Sequence, residues 1–163
     1  MASPTLATLQ YITRDTLAST ISTNASLPPD TAIIDVRDSD HIGGHIRGST
    51  WVPSSTLEYK MPELLRTLRD KEVVVFHCAL SQQRGPGAAL KYLREKERVE
   101  AKEEAKEEVK EGVKEGVTEE GEGKKGGQRV YVLKGGFTEW QEKYGEDKVL
   151  TEGYQKDIWE FGY

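Results

Sequence analysis

The residues best equipped for chemistry lie in one run, His77-Cys78-Ala79-Leu80-Ser81-Gln82-Gln83-Arg84-Gly85-Pro86. It holds the chain's only cysteine and, six positions on, an arginine. A cysteine thiolate is a nucleophile, and a guanidinium is a planar, bidentate donor to oxyanions. The residues between them form a loop whose successive amides can wrap a tetrahedral anion. In that arrangement Cys78 attacks the central atom in line, while Arg84 and the loop amides hold the other oxygens. A lone cysteine at a strand end is ordinarily a small buried hydrophobe. Its pairing with an arginine at this spacing argues for the nucleophile instead.

Two elements must position this loop. Val73-Val74-Val75-Phe76 reads as a short buried strand, being apolar and mostly β-branched. From Ala88 to Arg94 the spacing is helical, and Pro86 suits a first helical turn, where its missing N–H costs nothing. Cys78 therefore ends a strand, and the loop after it runs into a helix N-terminus. That terminus adds unpaired N–H groups and partial positive charge, which favour a bound anion and a thiolate.

At these residues the chain resembles the cysteine-dependent phosphatases, whose signature is His-Cys-x5-Arg. Arg84-Gly85-Pro86 narrows the resemblance to the rhodanese-fold group, the M-phase-inducer-type (cell-division-cycle) dual-specificity phosphatases. The run from His77 to Gln82 resembles the small single-domain plant and fungal members, some of which are described as arsenate reductases. Sulfurtransferases of this fold typically have one residue fewer between Cys and Arg. The longer loop suits phosphate or arsenate better than a persulfide sulfur.

The resemblance implies a rhodanese-like three-layer α/β domain with a central, mostly parallel sheet and helices on both faces. It implies Cys78 and Arg84 as catalytic residues and a phosphocysteine intermediate. The anion-binding loop is then His77, Ala79, Leu80, Ser81, Gln82, Gln83 and Gly85. His77 would position the loop rather than transfer a proton, and Ser81 would donate a hydrogen bond to the sulfur or the anion. No cofactor is implied. The cell-cycle phosphatases carry a Glu inside this loop and this chain does not, so weak or selective phosphatase activity is expected. The plant relatives bind zinc through extra C-terminal cysteines, which are absent here, so no metal is expected.

The chain has 163 residues, enough for one domain with a sizeable core. Charged residues make up 31% of it, and its net charge of −5 traces to residues 100–123, where ten Glu and four Lys leave the remainder close to neutral. No basic cluster suggests nucleic acid, and no apolar run approaches a membrane span. The N-terminus lacks the features of a signal peptide, and one free cysteine fits a reducing compartment. The expectation is a monomer, cytoplasmic or nuclear, acting on a phosphoprotein or a small oxyanion.

Leu9–Ile12 reads as a first short strand, followed by a helix capped by Thr13. Thr31–Arg37 reads as a buried parallel strand ending in charge. Asp35-Val36-Arg37 with Gly44-His45-Ile46-x-Gly48-Ser49 resembles the motif pair near the start of rhodanese domains, which there shapes the fold. The alternative makes Asp35 or Asp38 the general acid. His41 and His45 stand at metal-ligand spacing, but the intervening glycines argue against a helix and no further ligand is evident. Thr50–Val52 is a strand ended by Pro53. Met61, Leu64, Leu65 and Leu68 give a helix an apolar face.

From residue 102 a four-residue repeat runs Lys-Glu-Glu-Ala, Lys-Glu-Glu-Val and then twice Lys-Glu-Gly-Val. On a helix such a stripe drifts by about 40° per repeat, so it forms no straight seam. It reads as a solvated helical extension fraying toward Gly121–Gly127: either an insertion without function or an acidic partner-binding arm. Arg129–Leu133 restores strand character, and Gly135-Gly136 opens the last turn into a helix. The rhodanese-like domain is thus expected over 5–145, interrupted by the insertion at about 99–128. A tail, 146–163, packs on it through Tyr154, Ile158, Trp159 and Phe161.

Three functions follow. The first is a protein phosphatase of tyrosine or dual-specificity type. The second is an arsenate reductase, which would need glutathione or glutaredoxin because no second cysteine can resolve the adduct. The third is a sulfurtransferase or non-catalytic binding module, against which intact Cys78 and Arg84 argue.

Overall fold

The computed structural model describes residues 3–23, 25–110 and 127–161. Its strands are β1 (Gln10–Ile12), β2 (Thr31–Asp35), β3 (His45–Ile46), β4 (Thr50–Trp51), β5 (Val73–His77), β6 (Arg129–Leu133) and β7 (Thr151–Glu152). Its helices are α1 (Arg14–Ser22), α2 (Leu57–Thr67), α3 (Arg84–Lys110), α4 (Gly136–Tyr144) and α5 (Lys156–Phe161). The main sheet runs β1-β6-β5-β2-β4 with every pairing parallel. β3 and β7 form a separate antiparallel pair.

The apolar strands β2 and β5 are covered on both sides, as a parallel sheet requires. Alternate side chains divide between two cores. Ile34, Val74 and Phe76 pack with Leu57, Met61 and Leu64 of α2 and with Ala88, Ala89 and Tyr92 of α3. Ile33 and Val75 pack with Leu17 and Ile21 of α1 and with Phe137 and Trp140 of α4. This is the three-layer architecture expected from the alternation of strands and helices.

Several boundaries differ for physical reasons. β2 stops at Asp35 because Arg37 turns back to bind the Asp35 carboxylate. α2 begins at Leu57, whose side chain joins the same buried face. α3 begins at Arg84, so Pro86 lies in its first turn. α3 continues into the charged repeat as far as Lys110, and residues 101–106 are exposed. The expected fraying toward Gly121–Gly127 lies outside the described residues. Gln128 ties the return of the chain to the body: its amide donates to Leu68 O and Lys71 O and accepts from Tyr92 Oη. Burial pushes the Tyr92 phenol up to about 12.

In the tail, Trp159 packs against Phe137, and Tyr154 Oη donates to Gln141. Phe161, expected to dock, is instead 83% exposed: it is the last residue of α5, a helix of six residues with no buried side chain. His41 and His45 stack on each other and His41 stacks on Trp51, while His45 pairs with Glu152. No described helix is long and apolar enough to cross a membrane.

Candidate active site

The site lies at the carboxyl edge of the sheet, where open α/β sheets bind ligands. The register sets Asp35 beside both His77 and Trp51, so the ends of β2, β4 and β5 form one row. Cys78 follows β5 directly and is buried. Its Sγ accepts hydrogen bonds from Ser81 N at 3.2 Å and Gly85 N at 3.3 Å. The loop therefore curls over the sulfur, and the α3 N-terminus supplies one of the two amides. Ser81 has φ +57°, and its hydroxyl accepts from Cys78 N at 3.4 Å.

The second turn of chemistry comes from α4. Its first amides hold the loop carbonyls: Phe137 N donates to Cys78 O at 3.0 Å and Thr138 N to Ala79 O at 2.8 Å. With those carbonyls turned toward α4, the amides of Ala79, Leu80, Gln82 and Gln83 have no acceptor among the described residues. Gly136 permits this approach. A Cβ there would lie 2.4 Å from Ala79 O and 2.6 Å from Cys78 O, and its φ is +60°. Gly85 is similarly confined, between Ser81 Oγ, Cys78 N and His77 Cα. Leu80, Gln82 and Gln83 are exposed on the outer rim.

His77 is fully buried and lies behind the loop. Its Nδ1 is 3.0 Å from Cys78 O, which can only accept, so Nδ1 carries the proton. Burial pushes the imidazole toward its neutral form, against the attraction of Asp35. Nε2 is buried without a hydrogen-bond partner, 3.7 Å from Asp35 Oδ2. His77 thus holds the Cys78 carbonyl from behind the loop.

Asp35 does not fit the general-acid alternative. It is fully buried and accepts from Arg37 Nε, Nη2 and N at 2.7–3.1 Å. Burial alone would raise its carboxyl, but the hydrogen bonds and charge of Arg37 outweigh that and hold it low. Asp38 is also an ionised acceptor. It binds Ser54 Oγ at 2.5 Å, Ser55 N at 3.0 Å and Arg84 Nη1 at 3.3 Å, and these bonds outweigh the effect of its partial burial.

Arg84 is the first residue of α3, and its side chain reaches across to the loop after β2. Nη1 donates to Asp40 Oδ1 at 2.9 Å and Nη2 to Asp40 Oδ2 at 2.6 Å. The Arg84 bonds lower the Asp40 carboxyl to about 2, and Asp40 in turn raises the guanidinium further. Asp40 carried no mark in the sequence beyond its place in Asp38-Ser39-Asp40, just past a strand of the sheet edge. It meets Arg84 because β2 lies beside β5.

A family model for the rhodanese-like domain matches residues 15–143. The chain is 35% identical over 138 residues to a CDC25-like phosphatase, YCH1, of Saccharomyces cerevisiae, covering 78% of this chain and 76% of that protein. Among solved structures it is similar to Ygr203w, a yeast protein tyrosine phosphatase of the rhodanese family, with TM-score 0.68 and 29% identity over 96% of this chain and 99% of that one. It is also similar to an As/Sb reductase from Leishmania major, with TM-score 0.56 and 28% identity over 86% and 81% of the two chains.

Proposed function

The chain belongs to the rhodanese-like domain family, and on that premise we propose that it is a cysteine-dependent phosphatase of tyrosine or dual-specificity type. The observation that carries the reading is the loop itself. Cys78 Sγ accepts from two inward amides, those of Ser81 and Gly85, and Arg84 opens the helix that follows the loop. The relatives named as phosphatases support the same reaction class.

In the first step Cys78 Sγ forms a bond to phosphorus as the bond to the leaving oxygen breaks, giving a phosphocysteine. The unpaired loop amides and Arg84 hold the equatorial oxygens as charge shifts between them. In the second step water attacks phosphorus and the sulfur leaves as a thiolate. The Ser81 and Gly85 amides stabilise it, because they already donate to Sγ. Asp35 is locked in a buried pair, and Asp38 and Asp40 are held ionised. Departure of the leaving group therefore depends on its own acidity, which favours aryl esters such as phosphotyrosine, whose phenol has a pKa of ~10.

A second reading is arsenate reduction, supported by the similarity to the As/Sb reductase. The same cradle fits arsenate, and Cys78 would displace a hydroxide from As(V). Two electrons must then come from external thiols, glutathione or a glutaredoxin, because the chain has one cysteine. The test is one preparation assayed in parallel with an aryl phosphate and with arsenate plus glutathione and glutaredoxin. Aryl phosphate turnover with no arsenite formed supports the phosphatase; arsenite formation with negligible phosphate release supports the reductase.

A further inference from the structure

We propose that Asp40, assisted by Asp38, positions Arg84 so that one edge of its guanidinium is presented to the substrate. The proposal rests on the reading of Arg84 as the oxyanion ligand given above.

A guanidinium carries five N–H donors in one plane, arranged along its edges. Three are engaged here. The edge between Nη1 and Nη2 is taken by both oxygens of Asp40, at 2.9 and 2.6 Å. The other N–H of Nη1 points to Asp38 Oδ2 at 3.3 Å. What is left is the Nε–H and the second Nη2–H, which lie parallel on one edge and have no acceptor among the described residues. Two parallel N–H groups are the fork that binds two oxygens of a tetrahedral anion. The carboxylates thus fill the other edges and leave this one free, and the proposal assigns it to the substrate.

The clamp stands on a fixed base. Asp40 Oδ1 accepts from Asp38 N at 2.8 Å, and Asp38 is itself held by Ser54 and Ser55. The next residue, His41, stacks on Trp51 with ring centroids 4.4 Å apart. Two residues further, Gly43 O accepts from Trp159 Nε1 at 2.9 Å. A long arginine side chain, which would otherwise have to be ordered at each encounter, is ordered in advance.

Charge opposes geometry at this point, and the two are separable. The carboxylates reduce the attraction of the site for any anion, in the ground state and the transition state alike. Fixing the fork matters most where the equatorial oxygens splay in the transition state. Removing Asp40 should therefore leave KM unchanged or lower it while kcat falls.

The experiment pairs kinetics with the side chain itself. Asp40→Ala and the isosteric Asp40→Asn are compared with the wild type, using aryl phosphate turnover and the NMR order parameter of Arg84 Nε–H in anion-free protein. The resonance is assigned through Arg84→Lys. The expected result is a rigid Nε–H in the wild type that becomes mobile in Asp40→Ala, with kcat down by about tenfold or more and KM not raised. Asp40→Asn, keeping one acceptor, should fall between. An equally ordered Nε–H in all three proteins, or a kcat that holds or rises without Asp40, overturns the proposal; a rise would make the pair a latch. Loss of Nε–H order in the variants of a wild type that turns over no phosphate would refute the phosphatase reading and leave the clamp standing.

Discussion

Arg84 and Asp40, forty-four residues apart in sequence, meet edge to edge, with Nη2 2.6 Å from Oδ2 and Nη1 2.9 Å from Oδ1. The pair joins the start of α3 to the loop after β2. It therefore ties the arginine of the Cys78 loop to the neighbouring strand of the sheet.

That pair should be visible in acid. The folded Asp40 carboxyl titrates at about 2, below its ordinary value of 3.8. A depressed carboxyl contributes stability that is present above 3.8 and is lost as pH falls through about 2. The pair is partly exposed, so its contribution is on the order of 1 kcal/mol after solvent screening. Melting curves should show Asp40→Asn less stable than wild type at pH 5, with the gap closing toward pH 2. A gap independent of pH would mean that the carboxylate charge contributes nothing.

Asp35→Asn should be costly to the fold rather than to a proton transfer. It leaves the Arg37 guanidinium buried with its charge unbalanced, a loss of about 3–5 kcal/mol. The urea midpoint should fall sharply. Full stability with activity abolished would return Asp35 to the role of general acid.

Gly136→Ala tests the support of the loop from behind. The new Cβ would press on the carbonyls of Ala79 and Cys78, both backbone atoms, and φ is +60°. Strain of this kind costs about 1–3 kcal/mol. Displacing the loop by about an ångström should reduce kcat/KM by on the order of a hundredfold. Activity within twofold of wild type would show that α4 does not set the loop.

Replacing residues 100–126 with a short Gly-Ser linker should leave small-substrate turnover nearly unchanged. Glu103 meets Arg69 at 3.1 Å, but both side chains are more than half exposed, so losing the pair costs ~0–1 kcal/mol. Shortening the connection changes closure entropy by only ~0.6 kcal/mol per halving. Gln128, which bonds Leu68, Lys71 and Tyr92, is kept. A large drop in melting temperature would mean that the removed segment packs on the domain.

The Cys78 loop was legible in the sequence because its parts are local: an apolar strand, a fixed spacing to Arg84, and a proline opening a helix. The parallel sheet was legible from its alternation with helices. Contacts that depend on strand order were not. Asp40 reaches Arg84 only because β2 and β5 are neighbours, and the docking of α4 on the loop carbonyls depends on β6 lying on the other side of β5. β2 ends two residues short of Arg37 because the Asp35–Arg37 pair bends the chain, and nothing local announces that pair. The aromatic character of Phe161 suggests docking, yet it ends a six-residue helix that buries no side chain.

In the proposed cycle Cys78 becomes phosphorylated. Rapid acid quench during aryl phosphate turnover, followed by mass spectrometry of the peptide spanning β5 and the loop, tests it directly. The expected result is one phosphoryl increment on Cys78 in the wild type, and neither the increment nor turnover in Cys78→Ser. Sustained turnover by Cys78→Ser would contradict it.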